Sequence, residues 1–173
     1  MNVVLIGYRG TGKSTVGHIV ATRLGRILVS TDAEIVKFVG QSIPEIVEAK
    51  GWEYFRDVEA KVCQELAGRT GLVIDTGGGS ILRSRNVEVL KETGKLFWLT
   101  ASVSIITERI GRDSQRPSLT GVKSFLDEIP DVLRERTPKY QAAADYVIET
   151  DGRSIAQVAD EILARCSSFD WVS

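Results

Sequence analysis

Cysteine is scarce. The 173 residues contain two, Cys63 and Cys166, with no C-x-x-C spacing and no metal-ligand cluster. That excludes a disulfide framework or a zinc ribbon and fits reduced, structural thiols. Histidine is scarcer still: His18 stands alone beside the apolar face of the first helical pattern, where a surface or packing role is expected rather than catalysis. No run of eighteen apolar residues occurs, so no membrane-spanning helix and no membrane partner is expected. Neither sign of charge prevails. Twenty-two Lys and Arg against 23 Asp and Glu leave a net charge of −1, which offers no electrostatic basis for a nucleic-acid partner. No internal repeat, low-complexity tract or linker divides the chain, so residues 1–173 read as a single globular domain.

Residues 7–14 supply what the rest of the chain is arranged around. They read Gly-Tyr-Arg-Gly-Thr-Gly-Lys-Ser, two glycines with four residues between them, then a lysine and a hydroxyl residue. Backbone N–H groups of Gly10, Thr11, Gly12, Lys13, Ser14 and Thr15 can converge on phosphate oxygens. Lys13 can reach the β- and γ-phosphates, and Ser14 offers an oxygen to Mg²⁺. The context agrees. Residues 2–6 are a short apolar run suited to a buried strand, and an amphipathic helix carrying Val16, Ile19, Val20 and Leu24 follows Lys13. The loop opens at residue 7, from which no signal or transit peptide, and a cytoplasmic location, are expected.

The remaining chain alternates buried runs with helical patterns. Runs at 26–30, 71–75, 96–99 and 146–148 read as further strands. Helices are expected after Ser30 and Thr31, from about Ser42 with a restart after Gly51, over 81–93, over 104–110, over 125–144 with a boundary near Pro130 and a kink or break near Pro138, and at the C-terminal end with Ile155, Val158, Ala159, Ile162 and Leu163 as its apolar stripe. This alternation implies an α/β fold, a parallel sheet covered on both faces with ligands at the carboxyl ends of the strands. Chemistry collects at those ends: the phosphate loop, Asp32, Asp75 with Gly77, Gly78 and Gly79, and a polar segment at 111–122 that reads as a mobile lid. Trp52, Trp98 and Trp171 are not spaced as a base-stacking platform and read as packing residues, with Trp52 placed by its helix near a substrate.

Six motifs in order give a specific resemblance: residues 7–14, Thr31-Asp32, Phe55-Arg56, Gly77-Gly78-Gly79, Arg116-Pro117 and Arg136-Thr137-Pro138-Lys139-Tyr140 resemble the shikimate kinase family over roughly residues 2–165. The resemblance implies a three-layer P-loop NTPase fold with a five-stranded parallel sheet of order 2-3-1-4-5, ATP and Mg²⁺ as cofactors, and phosphorylation of the 3-hydroxyl of shikimate by a monomer. Helices at about 31–60 would bind the substrate. By the same resemblance Asp32 holds the substrate hydroxyls and takes up a proton. Arg56 and Arg136 grip the carboxylate, Gly77, Gly78 and Gly79 meet the ring hydroxyls, Arg116 closes over the phosphates, and Arg109 and Arg153 lie near the adenine.

Two positions depart from the family's pattern. Ser30 stands where the family usually has a metal-side aspartate, and Asp75 ends an apolar strand where the family more often has a small uncharged residue. The expectation is that Ser14 and the phosphates hold Mg²⁺, with Asp75, and Asp32 as a second candidate, contacting its waters. Lys139 replaces a leucine, with no consequence that can be assigned. Two competing readings stay open: a kinase of another small polyol acid such as gluconate, and a nucleotide-binding regulatory domain without turnover. A GTPase switch is not expected, because no Asn-Lys-x-Asp motif occurs.

Overall fold

A computed structural model describes residues 1–111 and 126–167. Five parallel strands form one sheet in the order β2-β3-β1-β4-β5, as the resemblance implies. They are β1 Asn2–Ile6, β2 Ile27–Ser30, β3 Leu72–Asp75, β4 Gly94–Thr100 and β5 Tyr146–Glu149. The helices are α1 Lys13–Leu24, α2 Thr31–Val39, α3 Ile43–Ala67, α4 Ser84–Thr93, α5 Val103–Gly111, α6 Ile129–Ala143 and α7 Ile155–Cys166.

Strand β1 lies at the centre, between β3 and β4, and is buried throughout, which is why its sequence is apolar without alternation. Its residues still point alternately to the two faces. Val4 and Ile6 join Ile74, Leu96 and the apolar side of α3 and α4. Val3 and Leu5 join Val73, Phe97 and Leu99 against Val16 and Val20 of α1 and Val158 and Ile162 of α7. The sheet is therefore the middle of three layers. A smaller cluster of Tyr8, Ile106, Ile110, Ile129 and Val132 fastens the phosphate loop to α5 and α6 beyond the carboxyl ends of the strands.

The expected punctuation holds with three refinements. Helix α3 begins with a Ser42–Glu45 capping box and turns at Gly51, whose φ of 80° and ψ of 168° redirect its second half toward the site. The segment expected as one helix over 81–93 is a 3₁₀ turn, Ser80–Leu82, followed by α4. Helix α6 is continuous through Pro138, where a kink or break was expected. Losing one backbone hydrogen bond there costs about 3 kcal/mol, and it is offset by packing that buries Arg136, Tyr140 and Ala143 on one face.

Asn2 ties the bottom of the sheet. Its side chain donates to Arg69 O at 2.7 Å and accepts from Leu72 N–H at 2.9 Å, at 1% exposure. Asn2→Leu fits the volume but leaves those buried backbone groups without partners, so it should cost about 1–3 kcal/mol and lower Tm by roughly 3–10 °C in a thermal melt.

Candidate active site

The phosphate loop joins β1 to α1. Gly10 and Gly12 adopt φ of 81° and 90°, left-handed values that a side chain would strain, and Gly12 is the N-cap of α1. The helix therefore starts with its free N–H groups and positive dipole end at the loop, a ready anion site. Lys13 is buried and its Nζ donates to Gly7 O at 2.9 Å and Tyr8 O at 3.1 Å, folded over the loop it serves. Thr11 Oγ1 donates to Tyr8 O at 2.8 Å and closes the turn. Ser14 and Thr15 follow on the exposed first turn of α1.

Strand β3 pairs with β1 in a register that sets Asp75 opposite Leu5, at the strand ends beneath the loop. Ser14 Oγ donates to Asp75 Oδ2 at 2.5 Å. The hydroxyl and the carboxylate expected to share a metal are thus in direct contact, and both are hard oxygen donors of the kind Mg²⁺ takes. Ser30 is engaged elsewhere, as the N-cap of α2, its hydroxyl accepting from Ala33 N–H at 3.4 Å.

Beside the loop a cleft of about 320 Å³ is lined by Asp32, Arg56, Gly77, Gly78, Gly79 and Arg136, with Trp52 and Phe55 on its apolar wall. All six residues expected to bind a substrate therefore meet in one place. Arg56 lies with its Cζ 5.0 Å from the Phe55 ring centre and 5.5 Å from that of Trp52. Arg136 donates to Gly78 O at 3.2 Å, and the Tyr140 hydroxyl donates to the same carbonyl. Trp98 stacks on Tyr140 at 5.6 Å and backs that contact.

Two of the three glycines are crowded by the site's own side chains. A Cβ on Gly77 would sit 2.7 Å from Asp32 Oδ1 and 3.1 Å from Glu59 Oε1, and one on Gly79 would overlap the Arg56 guanidinium. Gly78 lies against the phosphate loop, where a Cβ would be 3.5 Å from Arg9 N. The strip is bare so that the site's own side chains can lie across it.

Sequence reasoning missed Glu59. It is fully buried on α3, accepts from Arg56 Nη1 at 2.6 Å and from Ser80 Oγ at 2.7 Å, and so orients Arg56. A signal was present: position 59 falls on the apolar stripe of Phe55, Val62 and Leu66, three residues after Arg56, where a lone carboxylate needs a partner. Burial, then the neighbouring Glu59 carboxylate, pushes the Asp32 carboxyl above the ordinary carboxylate value, while Lys13 pulls it down.

On the opposite side of the loop, Arg109 donates to Gly10 O at 3.1 Å and to Thr150 Oγ1 at 3.3 Å, bridging the phosphate loop and the segment after β5. Arg153 lies on that segment, held by Glu161 at 2.6 Å and by the carbonyls of Glu149 and Gln157 at 3.0 Å each. Arg116, most of the 111–122 segment and Trp171 lie outside the described residues. Arg134 and Lys139 are exposed and form helix-surface ion pairs with Asp131 and Glu135. His18 is exposed, and both cysteines are free and buried, with burial pushing the Cys63 thiol up to about 12 and the Cys166 thiol up to about 11. No helix among the described residues is long and apolar enough to cross a membrane.

A phosphate loop at a helix N-terminus, the Ser14–Asp75 contact and a cleft lined by Asp32, Arg56 and Arg136, all at the carboxyl ends of one parallel sheet, are the features of a P-loop phosphotransferase. The comparisons narrow the class. The family model for shikimate kinase matches residues 9–167. The shikimate kinase of Syntrophus aciditrophicus (strain SB) is 42% identical over 96% of this chain and 91% of its own, and that of Nitratidesulfovibrio vulgaris (strain Hildenborough) is 41% identical over 94% and 93%. A solved shikimate kinase from Acinetobacter baumannii in complex with shikimate superposes with a TM-score of 0.89 at 38% identity, covering 96% of this chain and 93% of that one. A gluconokinase from Sinorhizobium meliloti 1021 reaches 0.60 at 19% identity, which reflects the shared fold alone. This chain belongs to the shikimate kinase family.

The electrostatics of the cleft are directly testable. In an NMR titration of the Asp32 carboxyl carbon, the midpoint should lie above the ordinary carboxylate value of about 4. Removing the like charge with Glu59→Gln should move it to lower pH. A midpoint that stays put in the variant would show that the Glu59 charge does not reach Asp32.

Proposed function

We propose that this protein transfers the γ-phosphate of ATP to the 3-hydroxyl of shikimate, giving shikimate 3-phosphate on the route to the aromatic amino acids. The observation that carries the reading is the cleft in which Arg56 and Arg136 meet Asp32 directly beside the phosphate loop. A planar guanidinium binds a carboxylate by two parallel charge-assisted hydrogen bonds, and two of them suit a small acid whose hydroxyls extend toward Asp32.

The chain's own groups divide the work by position. Phosphoryl transfer needs alignment and charge neutralisation more than covalent help. The N–H groups of residues 10–15 and the Lys13 ammonium receive the phosphates. Asp32 orients the attacking hydroxyl and accepts its proton, a role helped by a carboxyl whose affinity for protons exceeds that of a free aspartate. Glu59 keeps Arg56 turned to the acceptor, and the backbone of Gly77, Gly78 and Gly79 meets the ring hydroxyls. Arg109 and Arg153 flank the adenine. Ser14 and Asp75 would hold Mg²⁺, which would supply neutralising charge at the phosphates. In this reading Asp75 carries the duty for which the family's aspartate at position 30 is missing.

Purified protein with Mg²⁺-ATP should phosphorylate shikimate and leave gluconate unreacted in a coupled ADP-release assay. Turnover on gluconate alone would sink the proposal, and ATP binding without turnover on either acid would favour the regulatory reading. Asp75→Ala should raise the Mg²⁺ concentration giving half-maximal rate by about tenfold or more, the scale at which an outer-sphere carboxylate acts. An unchanged Mg²⁺ dependence would remove Asp75 from the metal site.

A further inference from the structure

Arg9 is the third residue of the phosphate loop, and its side chain lines the acceptor cleft alongside Arg56 and Arg136. Its Nη2 lies 3.8 Å from Glu128 Oε1, with the arginine side chain 15% exposed and the glutamate 1% exposed. Glu128 is the N-cap of α6, and its carbonyl accepts from Val132 N–H at 3.0 Å in the first turn. Eight residues further along the same helix comes Arg136. The backbone of Arg9 also lies against Gly78, which accepts hydrogen bonds from Arg136 and Tyr140.

We propose that Arg9 is a positioning residue: its ion pair with buried Glu128 ties the loop that holds the donor phosphates to the helix that carries the acceptor's carboxylate grip. The inference rests on the function proposed above. The physical argument is one of alignment. The donor is referenced to the phosphate loop and the acceptor to Arg136, so the attack distance depends on how the loop sits against α6. Tyr140 and Arg136 attach the far half of α6 to Gly78, and apolar contacts of Ile129 and Val132 with Tyr8 attach its start. Apolar packing is nondirectional and sets no particular pair of atoms against each other. A charge pair with one partner buried is costly to separate, because separation leaves a carboxylate in a poorly solvated place. Arg9 thereby converts movement of the loop, such as that accompanying nucleotide binding, into movement at the start of α6.

The test combines kinetics with amide exchange. Arg9→Met keeps the stem and removes the charge, and Glu128→Gln keeps the shape and removes the opposite charge. Each should lower kcat on shikimate by about 30-fold, the scale of losses from sub-ångström misplacement, while KM for ATP moves less than threefold. The double variant should be no worse than the poorer single one, since both remove the same contact. Arg9→Lys should recover part of the rate.

Independently of the acceptor, the non-hydrolysable analogue AMP-PNP with Mg²⁺ should slow exchange of amides 129–136 in the wild type and leave them unaffected in either single variant. Multiplicative losses in the double variant, equal protection of those amides in all forms, or a loss confined to KM for shikimate in Arg9→Met alone would each overturn the tether. Should Arg9→Met fail to fold, Glu128→Gln carries both readouts. Wild-type protein inactive on shikimate would sink the function proposal, while the exchange experiment would still decide the tether.

Discussion

Three successive residues without side chains, Gly77, Gly78 and Gly79, form the place where the rest of the site meets. Asp32 from α2 and Glu59 from α3 crowd the first, Arg136 and Tyr140 from α6 bond to the carbonyl of the second beside the backbone of the phosphate loop, and Arg56 lies across the third. A Cβ on Gly77 would press on Asp32 and one on Gly79 on Arg56, whereas Gly78 has room for one. None of the three has a left-handed φ, so backbone freedom is not what requires glycine. At Gly77 and Gly79 volume is.

Charge, in turn, decides what the crowded strip can do. Glu59, Asp75, Lys13 and Arg56 all act electrostatically on Asp32, and Arg136 lines the same cleft. Burial would make each expensive alone, and the arrangement pairs them: Glu59 with Arg56 and Ser80, and Asp75 with Ser14. Asp32 sits between like and unlike charges, which leaves its carboxyl with a raised proton affinity instead of a salt bridge that would quench it. A base next to a phosphate cradle benefits from that balance.

Much of the fold was legible in the chain because strand and helix periods differ and because punctuation is local. Residues 2–6 read as a buried strand since both their faces are covered, and Gly40 and Ser42 marked a stop and a start that the structure keeps. Pro138 misled, because a local cost of one hydrogen bond was outweighed by α6 packing at Arg136 and Tyr140. In the site, Lys13, Ser14 and Asp75 were legible from motif and strand position. Glu59 was not singled out, since its partner Arg56 becomes a partner only when α3 is helical and buried, and Glu128 gave no signal at all.

The sequence by itself determined the order of elements, the phosphate loop, the acid at the end of β3 and the identity of the residues that could bind an anionic acceptor. These follow from local pattern, where neighbours in the chain carry the information. Which face of β1 packs against which helices, the bond between Ser14 and Asp75, the orientation of Arg56 by Glu59, and the closeness of Arg9 to Glu128 were decided only by the tertiary structure. Each joins residues that the chain holds apart or leaves unoriented, and only the packing of helices against the sheet gives those pairs a distance.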